Sequence, residues 1–185
     1  MSATDLPDRI ESVEHLEEML SRPHPQTVEL MKRLEGDIVV LGAGGKIGIS
    51  LSRTAVRAIE EAGVDKRVIA VSRFGDQSIR EFLESHGVET VSCDLLDRRA
   101  VAGLPKVDNV IFMAGRKFGT TGDVETTWAM NCLVPAGCAE HYRGSRVVAF
   151  STGCVYPLVS AASCGSVETD PPEPISPYGA AKLAA

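Results

Sequence analysis

From residue 37 onward the chain carries five short, largely apolar runs, at 38–41, 68–71, 88–91, 109–113 and 146–150. Each is too short for a buried helix, and the segments between them carry helical spacing. Residues 46–62 place Ile47, Leu51, Ala55 and Ile59 on one face. Further helices are expected around 79–83 and over about 124–141. Short apolar runs separated by helices predict parallel strands buried on both faces. Right-handed crossovers then give an α/β fold with a doubly wound parallel sheet. The 185 residues suit one domain with an ordinary core, since 44% are hydrophobic and 24% charged.

Residues 1–36 read differently. Ile10, Val13, Leu16 and Leu20, then Val28, Leu30, Met31 and Leu34, suggest two short amphipathic helices, with Pro23 and Pro25 breaking between them. This N-terminal helical arm is expected to pack on the core or on a partner subunit, which leaves a homodimer open. The domain proper is expected over 37–185. Residues 157–177, with five prolines, read as a long loop of the kind that carries function at a strand's carboxyl end.

A net charge of −6 with scattered basic residues argues against a nucleic-acid surface. No apolar run approaches a membrane span. The five cysteines show no Cys-x-x-Cys spacing, so no metal site is expected, and the odd count without a signal-like segment favours a reducing cytoplasm.

The first run ends in Leu41-Gly42-Ala43-Gly44-Gly45-Lys46-Ile47-Gly48 and opens a helix. Gly42 allows a tight exit from the strand. Gly44 and Gly45 let the backbone approach a pyrophosphate, and Gly48 lets the helix pack closely. The helix N-terminus offers free N–H donors to phosphate, and Lys46 adds a charge nearby. Strand before and helix after make this a dinucleotide-binding turn of a Rossmann fold, against the alternative of a merely structural turn. After the second run stand Ser72 and Arg73, where an acidic residue would select NAD. A hydroxyl and a guanidinium suit a 2′-phosphate, so NADP is favoured, with NAD as the alternative; Asp76 is close enough to restore a ribose contact. Asp94, with Leu95 after it, is placed to meet the adenine or to cap a helix. Ala114 and Gly115 leave room for a ribose.

Tyr178 and Lys182 share a helix face at i and i+4. A lysine ammonium beside a phenol favours the phenolate, which then serves as general acid or base. Lys182 also reaches the nicotinamide ribose, and Thr152 or Ser151 orients a substrate oxygen. Alone, Tyr-x-x-x-Lys reads equally as a solvated helix face; its order after the glycine turn and the hydroxyl pair gives it weight.

Over residues 37–185 the chain resembles the extended short-chain dehydrogenase/reductase family, the NAD(P)-dependent epimerase/dehydratase group. Gly42, Gly45 and Gly48 fall on its Gly-x-x-Gly-x-x-Gly, and Asp94 on its adenine-contact aspartate. Asn131 resembles its helix asparagine, and Ser151-Thr152-Gly153-Cys154-Val155-Tyr156 its Ser-Ser-x-x-Val-Tyr segment. Tyr178 and Lys182 match its catalytic pair, and Thr152 its catalytic Ser or Thr. The resemblance implies a dinucleotide site of Gly42, Gly44, Gly45, Lys46, Ile47, Gly48, Ser72, Arg73, Asp94, Leu95, Ala114, Gly115, Asn131, Tyr178 and Lys182. It implies an oxidoreductase, epimerase or dehydratase acting on a hydroxyl or carbonyl of a small-molecule substrate, a nucleotide sugar or a hydroxy acid. The other reading is a non-catalytic dinucleotide-binding sensor or scaffold. Leu41, Lys46 and Pro157 depart from the family's usual threonine, aromatic and glycine. Members also continue well past the lysine, so this chain by itself is expected to bind cofactor poorly and to be inactive.

Overall fold

The computed structural model describes residues 7–119 and 122–185. Five parallel strands form one sheet in the order β3-β2-β1-β4-β5: β1 Ile38–Leu41, β2 Val68–Ser72, β3 Glu89–Ser92, β4 Asn109–Phe112 and β5 Arg146–Ala149. The pairing is in register, with Ile38 opposite Val68 on one side and Asn109 on the other. The strand order reverses between β1 and β4, which opens a crevice at the carboxyl ends where such sheets bind ligands.

Strand alternation explains the unbroken apolar runs. Val39 and Leu41 join Ile69, Val71, Phe112, Val134 and Tyr142 in the core on one face. Ile38 and Val40 join Val68, Ala70, Ala55, Ile59 and Leu83 on the other. All four residues of β1 are buried, and each such side chain contributes about 1.5–3 kcal/mol. The edge strand β5 is exposed throughout.

Helix α3 (Lys46–Ala62) follows β1, and α4 (Gln77–Ser85) follows β2. Two elements differ from expectation. A five-residue helix, α5 (Arg98–Ala102), follows β3 and is too short to announce itself by periodicity. The single helix expected over 124–141 is three pieces: α6 (Val124–Trp128), a π-helical turn Ala129–Leu133, and α7 (Val134–His141). Such a turn adds a residue to the helix, and Asn131 within it is fully buried. Thiols Cys93 and Cys138 are buried; burial pushes both up, Cys138 to about 11, so they stay protonated and inert.

The N-terminal helices are α1 (Val13–Leu20) and α2 (Pro25–Arg33). Pro25 does not sit in the break between them: it is the first residue of α2, where its missing N–H costs nothing. Val28 and Met31 of α2 enter the core. Arg57 of α3 ties down α1, donating to the Glu18 carbonyl and the buried Ser21 hydroxyl at 2.9 Å each, and pairing with the Glu18 carboxylate at 3.2 Å.

Arg22 bonds the same carboxylate and, with Arg57, holds Glu18 down from 4.5 to about 2 against the opposing effect of burial. A carboxyl lowered in the folded state stabilises above its ordinary value and loses that contribution as pH falls through the lowered one. Acidification from pH 4.5 to 2 is therefore expected to loosen α1 from α3. Hydrogen exchange should show protection falling at the Ser21 amide while that of Val40 persists. Unchanged protection at Ser21 would contradict this role for Glu18.

Candidate functional site

The glycine turn needs its glycines for space. Gly42 has φ +90°, and a Cβ on it would lie 2.6 Å from the Ala114 nitrogen at the end of β4. A Cβ on Gly48 would lie 2.6 Å from the Ala43 carbonyl oxygen, so this residue sets how closely α3 approaches the turn. Helix α3 starts at Gly45 with no side-chain cap, which leaves its first N–H groups to a ligand. A 17-residue helix with an uncapped, glycine-bounded start beside a crevice fits a pyrophosphate.

A groove of about 290 Å³ runs over this turn, lined by Gly42, Gly44, Gly45, Ser72, Arg73, Asp94, Leu95, Met113, Ala114 and Gly115 among others. Most residues expected to meet a dinucleotide are thus brought together. Asp94 does not cap a helix. Its carboxylate accepts from the Leu96 N–H at 3.0 Å in a local turn, while Asp97 caps α5. Asp76 caps α4, its Oδ1 accepting from both the N–H and the hydroxyl of Ser78. Arg73 is exposed at the groove's rim.

Other expected residues lie elsewhere. Lys46 and Ile47, both exposed, are among the residues lining a second groove of about 840 Å³ between α3 and the N-terminal helices, and neither lines the groove over the turn. Asn131 is fully buried, outside the groove lining, and acts on the backbone. Its side chain accepts from the Arg116 N–H at 3.0 Å and donates to the Arg116 and Thr127 carbonyls at 2.9 Å each.

The last helix, α8 (Pro177–Leu183), is capped by the Ser176 hydroxyl. It packs against α6, the π-helical turn and the short 3-10 turn Gly153–Val155. Gly179 permits that closeness, because a Cβ there would overlap the Cys154 carbonyl oxygen. The packing sets α8, which carries Tyr178 and Lys182, beside the turn that Thr152 caps. The Thr152 oxygen accepts from the Cys154 N–H at 3.2 Å, which leaves its hydroxyl hydrogen free to donate. Lys182 donates to the Phe150 carbonyl at the end of β5, at 3.1 Å, and burial pushes its ammonium pKa down. Sequence reasoning missed Phe150 as the lysine's anchor, because the anchoring group is backbone. It also missed Arg116 and Asp123, whose ion pair spans the loop after β4 at 2.6 Å.

A doubly wound sheet with a glycine turn, a groove at the strand reversal and a Tyr/Lys helix beside it defines a dinucleotide-type Rossmann domain. The chain belongs to the NAD dependent epimerase/dehydratase family, whose model matches residues 38–185. Comparison with curated proteins found no match. Among solved structures the chain is similar to ADP-L-glycero-D-manno-heptose-6-epimerase of Helicobacter pylori, with TM-score 0.67 and 20% identity over 83% of this chain and 50% of that one. WbmG of Bordetella bronchiseptica, solved with NAD and UDP, gives TM-score 0.64 and 18% identity over 82% and 48%. UDP-glucuronic acid 4-epimerase of Bacillus cereus, solved with NAD, gives 0.59 and 22% over 80% and 49%. The chain therefore spans about half the length of these relatives. No described helix is long and apolar enough to cross a membrane.

Proposed function

We propose that residues 38–185 hold NADP in the groove over the glycine turn, and that Tyr178, Lys182 and Thr152 act on a hydroxyl or carbonyl of a small molecule. One observation carries this reading: the uncapped start of α3 borders a groove that Gly115 also lines, and a Cβ on Gly115 would stand 3.7 Å from the Lys182 nitrogen. When bound, the nicotinamide donates or accepts a hydride. The start of α3 would receive the pyrophosphate, Ser72 and Arg73 the 2′-phosphate, and Asp94 the adenine. Thr152 would donate to the substrate oxygen. Tyr178 would take the hydroxyl proton as the carbonyl forms and return it in the reverse step. Lys182, anchored on Phe150, has donors left for the Tyr178 oxygen and a ribose hydroxyl. The relatives' complexes with NAD and UDP support a nucleotide-sugar substrate for this family chemistry.

The NAD seen in those relatives pulls toward NAD, whereas Ser72 and Arg73 favour a phosphate. Ser72 and Arg73 stand where an acidic residue would select NAD, and the nearby carboxylate of Asp76 caps α4 through its Oδ1. Arg73→Ala is expected to weaken NADP binding about tenfold or more, as loss of a charge-assisted pair does, and to leave NAD binding unchanged. Parallel calorimetric titrations read both. Equal or tighter NAD binding by the unaltered chain would contradict the NADP assignment.

A further inference from the structure

The loop after β4 is tied at its base more firmly than a surface connection requires. Asn131 holds both backbone groups of Arg116. The Arg116 side chain crosses the loop, meeting Asp123 at 2.6 Å and donating to the Gly119 carbonyl at 3.0 Å. Asp123 fixes the far end as well, since its other oxygen accepts from the Thr126 N–H and caps α6. Ion pairs this exposed add little to stability, so stability does not account for the arrangement.

Position does account for it. Gly115, directly before Arg116, lies between Asn131 and Lys182. A Cβ on it would stand 2.8 Å from the Asn131 oxygen and 3.7 Å from the Lys182 nitrogen. Gly115 lines the dinucleotide groove with Met113 and Ala114. Strand order puts Ser72, Arg73 and Asp94, after β2 and β3, toward one end of this crevice. Gly115, after β4, and Lys182 of α8, bonded to Phe150 just after β5, lie toward the other.

We propose that Arg116 and Asp123 form a positioning clasp: their ion pair holds the Gly115 ledge against the nicotinamide half of a bound dinucleotide and leaves the adenine half untouched. The clasp rests on the dinucleotide reading above. Asn131 fixes the ledge from below, and the clasp fixes the chain leaving it.

Two substitutions test the pair. Asp123→Asn removes the charge but keeps a side chain that caps α6. Arg116→Gln removes the guanidinium. Each is titrated with NADPH and with adenosine 2′,5′-bisphosphate, which carries the adenine half and no nicotinamide. The clasp predicts NADPH weakened about tenfold in each variant, bisphosphate affinity and melting temperature unchanged, and a double variant no worse than either single one. Equal weakening of both ligands, or unchanged NADPH affinity, overturns the clasp and leaves the dinucleotide reading standing. If the unaltered chain binds neither ligand, the dinucleotide reading fails and the clasp fails with it.

Discussion

Gly48→Ala is expected to lower the melting temperature by about 2–12 °C and to remove measurable dinucleotide binding. The added Cβ would stand 2.6 Å from the Ala43 carbonyl oxygen, 2.7 Å from the Ala43 Cα and 2.8 Å from the Ala43 carbonyl carbon. All three atoms are backbone in the turn itself, and Ala43 is fully buried, so nothing can swing aside. Either α3 lifts from the sheet or the turn reshapes. Overpacking of this kind costs up to about 3 kcal/mol. The same movement displaces the N–H groups at the start of α3 from the groove. Gly137→Ala is the matched control. A Cβ there meets nothing within 4 Å, and the site lies inside α7, so a neutral or slightly stabilising change is expected. Thermal melts and titration of the two variants side by side read the difference. A Gly48→Ala chain that melts and binds like the control would contradict the role given to this contact.

Tyr178→Phe is expected to reduce turnover by about 10²–10⁴-fold in a form of the protein that acts on a hydroxyl or carbonyl substrate, with cofactor affinity preserved. The substitution removes one oxygen. It leaves the Ser176 cap, the Gly179 contact and the Lys182 anchor in place, so α8 keeps its seat. Lys182→Met is expected to weaken both turnover and cofactor binding, because the ammonium bonds Phe150 and faces the Gly115 end of the groove. A steady-state comparison separates the two: Tyr178→Phe should change kcat, and Lys182→Met kcat and cofactor affinity together. Unchanged turnover in Tyr178→Phe would remove Tyr178 from the chemistry, whereas cofactor binding with no turnover on any tested substrate would point to the non-catalytic reading.

The central strands β1, β2 and β4 were legible because they are buried on both faces, whereas the edge strands β3 and β5 are largely exposed here. Residues 38–41 must be apolar throughout, and they form one strand of the sheet, β1, as expected. The bounds of α3 were legible for a related reason: its glycine turn and Gly63 bracket a 17-residue amphipathic pattern. What escaped depends on contacts between distant segments. Nothing in residues 124–141 announces a π-helical turn, which is accompanied by Asn131 bonding to Arg116 fifteen residues upstream. The second groove beside Lys46 and Ile47 exists because the N-terminal helices dock on α3, a packing that joins Arg57 to Glu18 and Ser21 across more than thirty residues. Asp94 and Asp97 both suit a helix cap by residue type. The start of α5 assigns the cap to Asp97 and leaves Asp94 lining the groove. The Arg116–Asp123 clasp joins a loop to a helix start, a pairing that spacing alone does not disclose.

The central claim is that the glycine turn, Ser72–Arg73 and the Gly115 ledge form one dinucleotide site. Titration of the isotope-labelled chain with NADP, followed by amide chemical shifts, tests it most directly. The account predicts that the amides of Gly42, Gly44, Gly45, Lys46, Ile47 and Gly48 shift together with those of Arg73 and Gly115. Those lining the groove under the N-terminal helices, such as Leu16 and Leu30, should stay in place. Shifts confined to that second groove, or no shift at the glycine turn at millimolar NADP, would contradict it.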